Sequence, residues 1–254
     1  MKILLSNDDG IHADGIKVLE EISKNFSNDI TVCAPLENMS GAAHSLTFKT
    51  PLRLKVYDDN HYSVNGTPTD SVVMAIRHVM QEKPDLMMSG INFDSNLAED
   101  IGYSGTVSAA MEACLLGIPS IAFSQRTFKD GSINWDISKK YIPIILKDIL
   151  NKYEFQKHIL LNINIPAVEN IDDVKGVKIT RQGFRAIDDH VIKSLDPRGE
   201  PYFWIGAADY RRTDSTKELE TDLGATNNGF ISITPISLDY TEHSHIKVLE
   251  EVFV

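Results

Sequence analysis

Apolar positions along most of this chain alternate between two rhythms. Lys2-Ile3-Leu4-Leu5-Ser6 is a short apolar run that reads as a buried strand; Ile16, Leu19, Ile22 and Phe26 then recur at spacings of three and four, and Ile30-Thr31-Val32-Cys33-Ala34 is a second strand. That is a βαβ unit. Residues 45–64 alternate in a strand-like way, broken at Pro51 and Asp58-Asp59-Asn60. Thr69 or Asp70 is placed to cap a helix whose Val72, Ile76, Val79 and Met80 form one stripe, and Pro84 precedes a strand at Asp85-Leu86-Met87-Met88-Ser89. A further helix opens near Ser104, with Val107, Ala110, Met111, Cys114 and Leu115 on one face, and stops at Gly117 before a strand at Ser120-Ile121-Ala122-Phe123. Residues 136–153 are helical in pattern despite Pro143, and Ile159 to Ile165 is another strand. Such alternation predicts an α/β fold with a doubly wound, mostly parallel sheet.

Residues 184–228 break the rhythm. They carry Asp188-Asp189, Asp196-Pro197-Arg198-Gly199, Arg211-Arg212 and the cluster Tyr202-Phe203-Trp204, without a long periodic helix to bury those aromatics. A projecting β-hairpin arm is expected, its aromatics covered either by its own domain or by a second subunit. The chain returns through a strand at Gly229 to Pro235 and ends in an amphipathic C-terminal tail with Ile246, Leu249 and Phe253. The expected organisation is one domain over residues 1–254, with 184–228 as an extended arm.

At 254 residues the chain is long enough for a substantial core. Its formal charge of -11 disfavours nucleic-acid polymers and anionic membranes as partners. The apolar start is interrupted at Asn7-Asp8-Asp9, too soon for a signal sequence or a membrane span, so a cytoplasmic location is expected. Cys33 and Cys114 fall in a strand and a helix, as core thiols of a reducing compartment do.

The chemistry gathers after the first strand. Asp8 and Asp9 lie at its carboxyl end, the edge where open α/β sheets bind ligands. On Asn7-Asp8-Asp9-Gly10 alone, an Asx-type turn with two solvated aspartates is the favoured reading. Later segments change the weighting: Asn38-Met39-Ser40-Gly41, Ser89-Gly90-Ile91-Asn92 and Tyr103-Ser104-Gly105-Thr106 each follow a strand or open a helix. Asp8, Asp9, the Ser40 hydroxyl and the Asn92 amide oxygen form an all-oxygen set suited to Mg²⁺, Mn²⁺ or Ca²⁺ rather than zinc. Ser104, Gly105 and Thr106 offer hydroxyls and free helix amides to an anion, although an ordinary helix cap is the commoner meaning of such a tripeptide. His44 lies near a proposed ligand, with a structural histidine as the safer reading, and the chain has no HExxH, GxSxG or P-loop.

Together the segments Ser6 to Ala13, Ala34-Pro35 with Ser40-Gly41, Gly66 to Asp70, Ser89 to Asn92, Tyr103 to Val107 and Ser232 to Pro235 closely resemble, in order and spacing, the SurE family of metal-dependent 5'/3'-nucleotidases. The resemblance implies a Rossmann-like fold and hydrolysis of nucleoside 5'- and 3'-monophosphates to nucleoside and phosphate. It implies one Mg²⁺ or Mn²⁺ per subunit on Asp8, Asp9, Ser40 and Asn92, and phosphate contacts from Asn96, Ser104, Gly105 and Thr106. Asp8 or Asp9 would then serve as general base as well as ligand. Asp196 to Gly199 and Tyr202 to Trp204 are similar to an arm exchanged between family subunits, which implies a homodimer or homotetramer. The chain departs from the family at Asp94, where a glycine is usual; aspartate tolerates positive φ better than most residues but adds charge beside the anion site. Two competing readings are a receiver-like phosphoacceptor and a catalytically weak nucleotide-binding protein. The first is opposed by Ser89-Gly90-Ile91-Asn92 where a receiver needs an aspartate after the third strand.

Overall fold

The computed structural model describes residues 1–185, 191–205 and 218–253. In chain order the body comprises β1 (Lys2–Ser6), α1 (Asp14–Ser23), β2 (Asp29–Pro35), β3 (Leu54–Val56), β4 (His61–Val64), α2 (Pro68–Met74), β5 (Leu86–Phe93), α3 (Asp100–Tyr103), α4 (Gly105–Leu115), β6 (Ser120–Gln125), α5 (Trp135–Lys152), β7 (Ile159–Ile165) and β8 (Val177–Ile179). The hairpin strands β9 (Val191–Leu195) and β10 (Pro201–Ile205) follow, then α6 (Asp222–Asn227), β11 (Ile231–Ser237) and α7 (His243–Glu250).

Nine strands form one sheet in the order β3-β4-β2-β1-β5-β6-β7-β11-β8. The run β4 to β7 is parallel throughout, while β3 pairs antiparallel with β4 and β11 antiparallel with β7. Alternating side chains divide the core: Ile3 and Leu5 pack with α1 and α5 residues such as Ile16, Leu19, Ile137 and Ile142, and Leu4 packs on the other face with Val72, Val107, Ala110 and Met111. The fold is therefore α/β with a mostly parallel sheet, as the periodicity predicts, and Rossmann-like, as the resemblance implies. The chain leaves β1 toward β2 on one side and reaches β5 on the other, so the crevice between β1 and β5 is the switch point where ligands bind in such sheets.

Several local expectations are corrected. The cap of α2 is Thr67, not Thr69 or Asp70: its hydroxyl accepts from the Asp70 amide at 3.0 Å, and the Asp70 carboxylate accepts from the Thr67 amide at 2.9 Å. Pro68 then occupies the first helical position, where its missing N–H costs nothing. Strand β5 does not end at Ser89 but runs on to Phe93, with a register shift between Ser89 and Asn92. Gly90 is required there, because a Cβ would meet the Phe123 carbonyl oxygen at 2.2 Å. Within 45–64 only β3 and β4 form. Both cysteines are buried and free, and burial pushes the Cys33 thiol up to about 12.

The arm is a separate two-stranded sheet in which β9 pairs antiparallel with β10. Asp196 turns it, its carboxylate accepting from the amides of Arg198 and Glu200 at 2.8 and 2.9 Å. Val191, Ile192, Leu195 and all of Tyr202 to Ile205 are exposed. The expected arm segment 184–228 also contains Thr221 to Thr226, which are buried in the body. Asp188-Asp189 and Arg211-Arg212 lie outside the described residues. Helix α7 keeps the amphipathic pattern expected of the tail but buries none of its residues.

Candidate active site at the β1–β5 crevice

The loop after β1 is closed by Asn7, which donates to the Gly10 carbonyl at 2.9 Å and accepts from the Gly10 amide at 3.2 Å. The Asx turn is thus made by the asparagine, which leaves both neighbouring carboxylates for other work. Asp8 is 3% exposed. It accepts a hydrogen bond from the Thr106 hydroxyl, and the amides of Gly105 and Thr106 at the start of α4 lie near enough to favour its charged form. Only glycine fits at 105, since a Cβ would sit 2.6 Å from that of Asp8. Burial raises the pKa of Asp8 above the ordinary carboxylate range, against the lowering effect of those donors.

Asp9 accepts from the Phe93 amide at 3.0 Å and, less closely, from the Asn38 side chain at 3.4 Å. Burial first, and then the Asp8 charge, push its pKa up to about 6. Asn92 donates to the carbonyls of Asp94 at 2.7 Å and Phe93 at 3.3 Å, which turns its Oδ1 toward Thr106 Oγ1, 3.4 Å away. Asp8, Asp9 and Asn92 therefore converge through Thr106 and the β5 backbone. Ser40 lies on the exposed rim, in a loop stitched to the pair by the Met39 amide on the Asp8 carbonyl at 2.7 Å and by Asn38, which also accepts from the Ser40 amide at 2.8 Å.

On the other side of β5, Asn96 is buried and held on three sides. Its amide donates to Asn164 Oδ1 at 2.9 Å, its carbonyl accepts from Asn162 and Asn164 at 2.9 and 3.1 Å, and its side chain donates to the Ser124 hydroxyl at 2.8 Å. Ser104 caps α4, accepting from the Val107 amide at 3.0 Å. The Thr106 hydroxyl is committed to Asp8. Sequence reasoning missed these supports: Asn7, Asn38, Ser124, Asn162 and Asn164 are ordinary polar residues on strands and loops, and only their convergence gives them a role. His44 pairs with Glu112 at 3.0 Å.

No Lys, Arg or His of the described residues forms an ion pair with Asp8 or Asp9. Two carboxylates without a cationic partner among the described residues, one buried and one partly buried, with the Asn92 amide oxygen facing the same Thr106 hydroxyl that Asp8 holds, fit a hard divalent ion. Among the described residues no cluster of three or more His, Cys, Asp or Glu is placed to hold a metal, so an ion here would rest on the two carboxylates and neutral oxygens.

The family model for Survival protein SurE matches residues 3–189. The chain belongs to the SurE family. A relative named 5'-nucleotidase SurE from Paramagnetospirillum magneticum is 45% identical over 100% of this chain and 96% of its own length. Another of the same name, from Erythrobacter litoralis, is 46% identical over 100% of both chains. The crystal structure of SurE protein from Aquifex aeolicus superposes with a TM-score of 0.84 at 41% identity, covering 100% of each chain. Within this family frame Asp94 stands at φ 79°, the positive φ at which aspartate can replace glycine. Its carboxylate accepts from the Ser95 amide at 2.7 Å and forms one wall of an open cavity of about 780 Å³ that Arg126 and Lys129 also line. Among the described residues no helix is long and apolar enough to cross a membrane.

Proposed function

We propose that this chain is a metal-dependent phosphomonoesterase that hydrolyses nucleoside 5'- and 3'-monophosphates to nucleoside and phosphate. The observation that carries the reading is the pair Asp8 and Asp9 at the switch-point crevice, which has no cationic partner among the described residues, with Asn92 Oδ1 on the same Thr106 hydroxyl as Asp8. The relatives named 5'-nucleotidase support the substrate class. Asp8, Asp9, Ser40 and Asn92 would hold one Mg²⁺ or Mn²⁺, which when bound supplies Lewis acidity to a phosphoryl oxygen and to the attacking water.

The chain's own residues divide the remaining work. Asp8 is buried and held by the Thr106 hydroxyl, so its orientation is fixed. Asp9 is less deeply buried than Asp8 and is the better placed of the two to take the proton of the attacking water. The side-chain amide of Asn96 and the start of α4 at Ser104, Gly105 and Thr106 present positive dipoles to the phosphoryl oxygens. Thr106 also holds the metal-ligating Asp8 in place. In this proposal the enzyme works in the cytoplasm as a homodimer or homotetramer tied by exchanged arms, whose exposed apolar strands need cover.

The test is phosphate release from a panel of nucleoside 5'- and 3'-monophosphates and polyphosphate, each with Mg²⁺, with Mn²⁺ and with chelator. Turnover of the monophosphates that depends on the ion is expected. Undiminished turnover in excess chelator rules the metal mechanism out.

A further inference from the structure

The loop from Asn96 to Asp100 links the end of β5 to the helices that carry Ser104 and Thr106. Ala98 within it has φ 52°, a conformation that a residue with a Cβ keeps only when its surroundings hold it. Those surroundings come from the distant segments where the chain enters and leaves the arm. Asp222, at the first turn of α6, is fully buried, and its Oδ2 accepts from the Ala98 amide at 2.9 Å. The Ala98 carbonyl accepts from the Gln182 side chain at 2.9 Å. Both backbone polar atoms of the strained residue are thus taken by residues flanking the arm.

Arg185 grips the same loop from the entering side. Its amide donates to Glu99 Oε1 at 2.7 Å, and its guanidinium donates to the Leu97 carbonyl at 2.8 Å and pairs with Asp100 at 2.5 Å. The side chain is only 9% exposed, so these bonds are shielded from water. The two roots are also joined to each other. Asp222 Oδ1 accepts from the Gly183 amide at 2.8 Å as well as from the Leu223 amide at 2.7 Å, and the Asp222 amide donates to the Arg181 carbonyl at 3.0 Å. Leu97, Ala98 and Leu223 close the contact as a small apolar cluster apart from the main cores.

We propose that Arg185 and Asp222 are positioning residues for Asn96: they fix the backbone of residues 97–100 and so present the Asn96 amide to the phosphoryl group. The inference rests on the proposed role of Asn96 as a phosphate contact. The internal supports, Asn162, Asn164 and Ser124, hold Asn96 from the sheet side. The arm roots hold the strained residue two places further on. The chemistry of Asp222 suits this task, since both of its oxygens accept from backbone amides and asparagine has only one oxygen. A carboxamide there turns its NH₂ toward a backbone N–H, donor against donor.

The test uses the full chain, as wild type and as Asp222→Asn, Arg185→Lys and Arg185→Ala. Amide hydrogen exchange reads the clamp directly. In Asp222→Asn the amides of residues 97–100 should exchange at least about tenfold faster, with residues 8–10 and 105–107 unchanged. Steady-state kinetics below the melting temperature of each variant read the consequence. KM for a nucleoside monophosphate should rise about tenfold with kcat within about threefold and the Mn²⁺ concentration for half-activation unchanged. Arg185→Lys, which keeps the charge but not the fork, should fall between wild type and Arg185→Ala. Unchanged exchange in residues 97–100 overturns the clamp. Faster exchange with wild-type KM overturns the positioning role and leaves a purely structural staple. If Asp222→Asn does not fold, the graded pair at Arg185 decides the matter by the same readouts. A wild type that turns over no nucleotide overturns the proposed function instead, while the exchange data still report whether the clamp exists.

Discussion

The crevice beside β1 and the hairpin β9–β10 break the ordinary rule of burial in opposite directions. In the crevice, Asp8, Asn92, Asn96, Ser104 and Thr106 are polar and buried; in the hairpin, Tyr202, Phe203, Trp204 and Ile205 are apolar and exposed. Each arrangement costs free energy in an isolated subunit and therefore points to something that interacts with it. The crevice has met part of that cost with hydrogen bonds inside the chain: the Thr106 hydroxyl on Asp8, Phe93 on Asp9, and three residues on Asn96. What remains there is net negative charge, which a cation can neutralise. Among the described residues the hairpin has no such compensation, and two strands alone bury too little apolar surface to be stable in water. What it lacks is contact area, which another protein surface can provide.

The strongest way to break this comparison is to remove the charge. Asp8→Asn and Asp9→Asn should each lose activity by at least about 100-fold while remaining folded, because a hard ion loses an anionic ligand worth several kcal/mol. The same change reads out through pH. Burial raises the Asp9 pKa from 3.8 to about 6, so the folded state binds that proton more tightly than the unfolded chain does. Its contribution to stability is complete below the unfolded value and is lost as pH rises through about 6. In chelator the wild type should therefore lose more melting temperature between about pH 5 and pH 7 than Asp9→Asn does. Equal losses in the two proteins would refute the assignment.

Removing the hairpin tests the other half. Replacing residues 190–215 by a short Gly-Ser linker should lower the assembly mass in light scattering while the isolated body keeps its fold. An unchanged mass would show that the arm packs on its own subunit. A smaller effect separates the two roles of Thr106. If it orients Asp8, Thr106→Ala should lower kcat/KM by roughly tenfold and weaken the activating ion as well, as loss of a partner behind a metal ligand does. A fall in kcat/KM with unchanged ion affinity would place Thr106 on the phosphate alone, and a change confined to thermal stability would reduce it to part of the helix start. The smallest change is expected at Asp94. Asp94→Gly should lower KM for nucleoside monophosphates a few-fold, with a weaker dependence of kcat/KM on ionic strength, since a like charge leaves the anion's surroundings. Loss of ion binding or of turnover would instead make Asp94 part of the site.

The elements legible in advance were those whose periodicity matched their burial. The strand Ile159 to Ile165 is bounded as its apolar run indicates, and α5 spans Trp135–Lys152 despite Pro143. The reading failed where local chemistry was ambiguous. Ser89-Gly90-Ile91-Asn92 has the composition of a loop yet continues β5, because Gly90 allows the strand to pass against Phe123. The stripe in α7 is real as a pattern, but none of its residues is buried among the described residues. A periodic stripe states that a face wants cover and is silent on where the cover comes from.

By itself the sequence determined the α/β layering, the position of an acidic pair at a strand end and the oxygen-rich segments that accompany it, since these depend on spacing over a few residues. Only the tertiary structure decided who holds whom. Thr106 meets Asp8 across 98 positions and Asp222 meets Ala98 across 124. Contacts of that kind leave no periodic trace, because a hydroxyl or carboxylate carries the same local signal whether it caps a helix, faces water or fixes another side chain. The sheet order sets the role by deciding which loop ends share a crevice.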